Sequence, residues 1–440
     1  MTGGFGLIRW ERGQGLVLPP RWARKAVEVR RMALAAVPIG ILSGLGVSGL
    51  EWSCSTLLWG HIAHGALALQ LTTPVLGLIF SGWVLKRLGV RSVGMLNEVV
   101  LHYHKPPEIL HPDRDGLKIA ACVATVGLGA SAGLGGPSQW LGTTVGLYFR
   151  KAAGRVSHAV RRLRADHAIL IGAAAGVSAY FRAPLAGTLL ALETPFSKDL
   201  DGTALLPASL ASLIAFWVHG RLIDSHPYLP FPGQASIDPQ TIACAVLVGV
   251  VAGVLSRRFQ RVLAWTRAVT EPMPWWGRGL SGGFVTIATG WLSWRFFGDT
   301  WSLQGGTPLA HAVFAAKFIG LAALALLALK LIAVWATFGT TGVAGLLVVT
   351  LCVGSVLGAA IHPLVPALTP ATACALAVCA YLAANYNAPL TAIALSVEWG
   401  GPGLLALAWI AVLPAAWIGE GLANTPAKIG HRHPHRIEHH

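Results

Sequence analysis

The sequence predicts an all-α polytopic membrane protein built from two related halves whose helices break inside the bilayer. Three observations predict it. The first is composition: of 440 residues 54% are hydrophobic and only 12% charged, with a mean hydropathy of +0.61, about half the charge a soluble surface needs. The second is a recurrence of stretches with at most one charge, at 32–60, 66–85, 119–149, 203–219, 242–255, 318–329, 331–397 and 402–419. Several are long enough for roughly 30 Å of hydrocarbon, which takes about 20 helical residues, and together they imply on the order of ten crossings. The third is an internal repeat, "SAYFRAPLAGTLLALE" at 178–193 against "AANYNAPLTAIALSVE" at 383–398.

The elements follow in order. Residues 1–31 form a basic segment expected in the cytoplasm, 32–225 a first membrane repeat, 226–240 a connector, 241–424 a second repeat and 425–440 a basic, His-rich tail. The net charge of +15 is spread over short connecting segments such as Arg161, Arg162 and Arg164, or Arg257, Arg258 and Arg261. Positive segments of that kind are retained on the cytoplasmic side, so a multi-pass protein of the cell (plasma or inner) membrane with a cytoplasmic N-terminus is expected, and nucleic acid is not expected as a partner. Many of the 17 tryptophans fall near span ends, among them Trp59, Trp217, Trp275 and Trp294, as interfacial belts do. The six cysteines lie singly in apolar runs without CxxC spacing, so neither a metal site nor a disulfide framework is expected. No cleavable signal pattern precedes the first span. The connector "HPYLPFPGQASIDPQ" reads as a loop outside the membrane.

Each repeat carries a break. "SAGLGGPSQWLG" at 131–142 holds four glycines and a proline inside an apolar region, and "FGTTGVAGLLVV" at 338–349 is its counterpart. Non-helical backbone at membrane depth persists only where protein or water satisfies it. Glycines let N–H groups point freely and Pro137 suits the first turn of a new helix. The N–H groups and positive dipole end of such a helix seat an anion. Two such ends converging from two repeats would hold a small anion with no basic side chain; the alternative is that the glycines serve close helix packing.

At this point the residues resemble a family. "GLGGPSQWLG" followed by "GAAAGVSAYFRAPLAGTLLALE", and "YNAPLTAIALSVE" near the end, are similar to the CLC chloride channels and chloride–proton antiporters, over about 35–424. The resemblance implies a CLC-type inverted-repeat helical fold and a homodimer with one anion path per subunit. It implies that the Ala-Pro-Leu helices, represented by Pro184, Leu185 and Glu193 and by Pro389, Leu390 and Glu398, help form the dimer interface. It also implies an anion pathway along Gly133, Leu134, Gly135, Gly136 and Pro137, along Gly345, Leu346, Leu347 and Val348, and along Ser92, Val93 and Gly94.

The departures carry the functional expectation. The family's gating glutamate in GxEGP is matched here by Gly135, and its second, proton-carrying glutamate by Thr194, which follows Glu193. An intramembrane carboxylate is costly and marks a proton relay, so this relay lacks its stations. Val93 stands at the family's inner-site serine unless the register slips by one to Ser92, and the family's terminal tyrosine has Lys428 as its nearest match. Gly345-Leu346-Leu347-Val348-Val349 replaces GxFxP, keeping backbone donors only. Other polar residues are ambiguous. Glu51 and Glu98 read as pathway candidates, Glu98 alternatively as the end of a short helix, His102 and His104 as pH-sensing or surface groups beside Lys105, and Arg182 as a vestibule or snorkelling arginine.

The expectation is passive, proton-uncoupled transport of a small inorganic anion, chloride first, with no cofactor and no enzymatic chemistry. The alternatives are proton coupling through His102, His104 or Lys428, or a non-conducting sensor or partner subunit on the same scaffold.

Overall fold

The structure, a computed structural model, describes residues 9–11, 15–17, 20–196 and 199–420. A small hairpin, β1 (Arg9–Glu11) with β2 (Gly15–Val17), precedes the helices. The first half runs α1 (Pro20–Glu51), a π-helical segment Trp52–Trp59, α2 (Gly60–Ala63), α3 (Leu67–Leu88), α4 (Met95–His104) and α5 (Pro112–Gly127). It continues through α6 (Gly135–Ala153), α7 (His158–Arg161), α8 (Ala165–Phe181), α9 (Pro184–Glu193) and α10 (Leu205–Leu222). The second half runs α11 (Pro239–Thr270), α12 (Trp275–Phe297), α13 (Thr307–Phe314) and α14 (Leu321–Gly339). After these come α15 (Leu347–Ile361), α16 (Pro370–Tyr386), α17 (Pro389–Gly400) and α18 (Leu405–Gly419).

Several elements of the two halves correspond. α1 and α11 each have 32 residues, and α8 and α16 each have 17. α8 and α16 both end on a left-handed residue, Arg182 (φ 55°) and Asn387 (φ 50°). An extended alanine follows each, as the residue before a proline requires, and Pro184 and Pro389 then open α9 and α17 where their missing N–H costs nothing.

Among the described residues six helices are long and apolar enough to cross a membrane, against the roughly ten crossings expected from the sequence. The difference is physical: four further apolar helices, α8, α9, α16 and α18, have only 10–17 residues. They stop where a break or the opposite half meets them. α8 and α16 are buried on all sides and form the core. α6 and α8 cross at backbone contact, since a Cβ on Gly142 would lie 2.0 Å from the Gly172 carbonyl oxygen and the reverse holds too.

The two closing glutamates lock the halves together. The Glu193 carboxylate accepts from the N–H groups of Leu390 (3.0 Å) and Thr391 (2.9 Å) and from the Thr391 hydroxyl (2.6 Å), at the start of α17. Glu398 returns the arrangement, accepting from Leu185 N (2.7 Å) and Ala186 N (2.8 Å) at the start of α9. Each carboxylate thus satisfies first-turn donors of the other half's helix, a charge-assisted cap reinforced by the helix dipole.

Candidate anion-binding site

The site grows from the two breaks. α5 ends at Gly127 and α6 begins at Gly135; α14 ends at Gly339 and α15 begins at Leu347. The intervening strands of backbone pair with each other: Gly133 N donates to Gly345 O (3.0 Å) and Gly345 N to Gly133 O (2.8 Å). Both positions must be glycine, because a Cβ on Gly133 would lie 2.4 Å from Val348 Cβ and one on Gly345 2.5 Å from Gly136 N. A second reciprocal pair braces the breaks: Thr337 Oγ1 accepts from Ser131 N and Thr125 Oγ1 from Val343 N, each at 3.2 Å. Close packing and donor display are therefore both served by these glycines.

That pairing spends the N–H groups of Gly133 and Gly345. The first-turn donors of α6 and α15, at Gly135 and Gly136 and at Leu346, Leu347 and Val348, have no intrahelical partner by geometry. A cavity of about 80 Å³ opens beside them. Ser92, Val93 and Gly94, ahead of α4, line it together with Gly136, Gly345 and Leu346. Three helix N-termini, those of α4, α6 and α15, thus face one small space, and their dipoles add a positive potential there.

The remaining expected residues stand around the cavity. Gly133 and Val348 are packed together, Leu134 is the buried N-cap of α6, and Pro137 lies against Gly345. Gly135 and Leu347 face Phe181: a Cβ on Gly135 would lie 2.7 Å from Phe181 Cζ and 3.1 Å from Leu347 Cβ. Phe181 belongs to a cluster with Tyr180 (ring centroids 5.3 Å), Tyr228 (5.5 Å) and Trp399 (6.4 Å). Aromatic rings therefore seal the space beside Gly135. Thr194 is buried and paired, accepting from Gln139 Nε2 (3.0 Å) and donating to Leu190 O (2.5 Å). Lys428 lies outside the described residues.

Several readings of the sequence need correction. The site was expected to have no basic side chain, yet Arg267 lines the cavity, with its Nε donating to Phe338 O (3.2 Å). Arg278 stands behind it, donating to the carbonyls of Arg91 and Thr340, and Glu271 pairs with Arg91 at 2.8 Å. Tyr386 also lines the cavity. Phe181 and Tyr386 hold equivalent places in the repeats. Glu98 sits in the first turn of α4 rather than at a helix end, accepting from Lys118 Nζ (2.7 Å) and Trp140 Nε1 (2.9 Å). His102 and His104 belong to the last turn of α4 and are half-buried, because α4 lies against α6 and α8. Arg182 neither snorkels nor lines a vestibule: it is paired with Asp224 (2.7 Å) and Glu51 (3.4 Å).

Sequence reasoning missed Lys330, fully buried in α14, which donates to the carbonyls of Ser302 (3.2 Å), Leu303 (3.1 Å) and Gln304 (2.5 Å) and props that loop against the first break. Its signal was a lone lysine inside "LALLALKLIAV". Tyr386 was marked only as the repeat's counterpart of Phe181, and Arg267 left no comparable mark.

Fold and site together define a multi-pass membrane protein of two inverted halves, with an anion-sized cavity where their broken helices meet. A family model described as the voltage gated chloride channel matches residues 77–420, and the chain belongs to that family. It is 27% identical over 246 residues to the voltage-gated ClC-type chloride channel ClcB of Shigella flexneri, covering 51% of this chain. The match spans 55% of that relative, so it takes in about half of the relative's length. Among solved structures it is similar in fold to a CLC-type fluoride/proton antiporter, with a TM-score of 0.77 and 22% identity, covering 91% of this chain and 98% of that one. It is likewise similar to a slow cyanobacterial Cl-/H+ antiporter, with a TM-score of 0.75 and 19% identity, covering 90% and 96%.

Proposed function

We propose that the chain carries small monovalent inorganic anions, chloride first, passively across a cell membrane, one pathway per subunit of a homodimer whose N-terminus is cytoplasmic. Catalysis of a chemical reaction is no part of this reading. The observation that carries it is a cavity faced by three helix N-termini and Arg267 with no carboxylate among its lining residues. Gly135 and Thr194, in the places where the resemblance puts proton-carrying glutamates, have no group that titrates. Bound by backbone donors and the Arg267 cation, an anion there needs no proton to enter or leave.

Efflux from chloride-loaded liposomes with valinomycin tests it. Rapid efflux with no accompanying proton movement is expected; silence across chloride, nitrate, fluoride and bicarbonate would refute transport. A second reading, proton-coupled exchange, is favoured by the names of the two similar solved structures, and stoichiometric proton counterflow would establish it instead.

A further inference from the structure

We propose that Glu51 and His219 form a proton-binding site inside the membrane domain, and that its occupancy sets the charge beside the aromatic seal of the anion pathway. Glu51 closes α1 just where the backbone widens into the π-helical segment Trp52–Trp59, and such widenings recur at functional sites. His219, on α10, is fully buried, and its Nε2 lies 3.3 Å from Glu51 Oε2. Neither atom has a hydrogen-bond partner among the described residues. On the ring's other side, His219 Nδ1 is 3.0 Å from Ser48 Oγ, and that hydroxyl is 2.8 Å from Gly44 O.

All three contacts are met together at one proton count. A serine hydroxyl owns one proton. If Ser48 donates it to Gly44, Nδ1 must carry a proton to reach Ser48, and Nε2 needs a second to face a carboxylate. Only an imidazolium satisfies all three contacts together. A neutral ring either takes the hydroxyl from Gly44 or sets two acceptors face to face.

Charge balance agrees. Arg182 pairs with Glu51 and Asp224, so with His219 protonated the cluster holds two cations and two carboxylates. With His219 neutral, one buried negative charge is left over. The other titratable groups facing the cluster are Cys54, Tyr180, Tyr228 and His226. Thiols and phenols ordinarily titrate above neutrality. The N–H of His226, its ring and Arg182 hold the Asp224 carboxyl down at about 2. Histidine is the side chain that ordinarily titrates between pH 5 and 8, and exposed His226 serves as the control.

The link to the pathway is short. Arg182 follows Phe181 in the chain, and its guanidinium lies 6.0 Å over the Tyr228 ring. An unbalanced carboxylate there opposes an anion; a proton removes the opposition. Anion flux therefore rises as the pH falls, without protons being carried through.

Solid-state NMR of the 15N-histidine-labelled full chain in lipid bilayers tests the site directly, with His219→Gln to assign the resonance. The expected result is an imidazolium signal from His219 at pH 5 that Glu51→Gln weakens. A ring still neutral at pH 5, or indifferent to Glu51→Gln, overturns the proposal whether or not the protein conducts. Chloride efflux should rise several-fold from pH 8 to pH 5 in the wild type and in His226→Gln, and lose that response in His219→Gln. An unchanged response in His219→Gln overturns the link to the pathway.

Discussion

Gly135 decides more by lacking a side chain than most residues do by having one. The space a Cβ would need is filled by the Phe181 ring edge and Leu347. Gly135→Glu should therefore lose about 1–3 kcal/mol of stability by overpacking, read as a lower thermal midpoint, and should slow flux. Adding Phe181→Ala should restore most of the stability and leave a slower, acid-activated pathway; flux in both variants equal to wild type would show that this break does not line the route. Arg267 acts by charge rather than volume. Arg267→Gln should slow efflux several-fold and flatten its dependence on ionic strength, because a fixed cation at a cavity steers anions and salt screens it; Arg267→Lys should retain most of the rate. Asp224 gives a pH signature with a defined sign. Its folded value is depressed to about 2 by the His226 N–H and ring and by Arg182, so its contribution is present above the ordinary carboxylate value of about 4 and fades as pH falls toward 2. Asp224→Asn should loosen the connector already at neutral pH, seen as faster proteolysis within 223–238, whereas the wild type should loosen only in that acid window.

At the scale of elements, the reciprocal bonds of Glu193 and Glu398 explain why both Ala-Pro-Leu helices close on a carboxylate. Glu193→Gln and Glu398→Gln each replace by an amide a carboxylate that accepts from two first-turn N–H groups of the other half, and each should cost about 1–3 kcal/mol in thermal unfolding. The two losses should be similar, because the sites are equivalent; a large effect in one alone would deny the symmetry. The helices themselves were legible in the sequence. Glycine breaks, proline at the first helical turn and the paired "APL" segments are local signals, and local backbone chemistry placed α6, α9, α15 and α17. The glutamates' partners were not legible, since Glu193 meets a helix 197 residues downstream. Nothing short-range in "LALETP" reports that meeting. The same holds for the bond between Gly133 and Gly345, which only the closed fold creates.

For the whole molecule, the chain's two inverted halves bring six expected residues to one cavity and leave Arg267, Tyr386 and Lys330 to be found there or beside it. Helical periodicity on α11, α14 and α16 could not single them out, because which face meets the breaks is set by packing between halves. Beyond the subunit, α10 and α18 present Leu206 (67% exposed), Trp217 (61%) and Trp417 (75%), and Leu185 of α9 is also open. A homodimer covering part of this apolar surface is the expected assembly, to be read as a two-chain mass in native mass spectrometry from lipid nanodiscs. The most direct measurement of the account imposes a pH gradient on liposomes with equal chloride on both sides and the voltage clamped to zero by valinomycin and matched potassium. A passive, carboxylate-free pathway should exchange isotopic chloride rapidly with no net accumulation, whereas uphill chloride movement driven by the proton gradient, or no exchange at all, would contradict it.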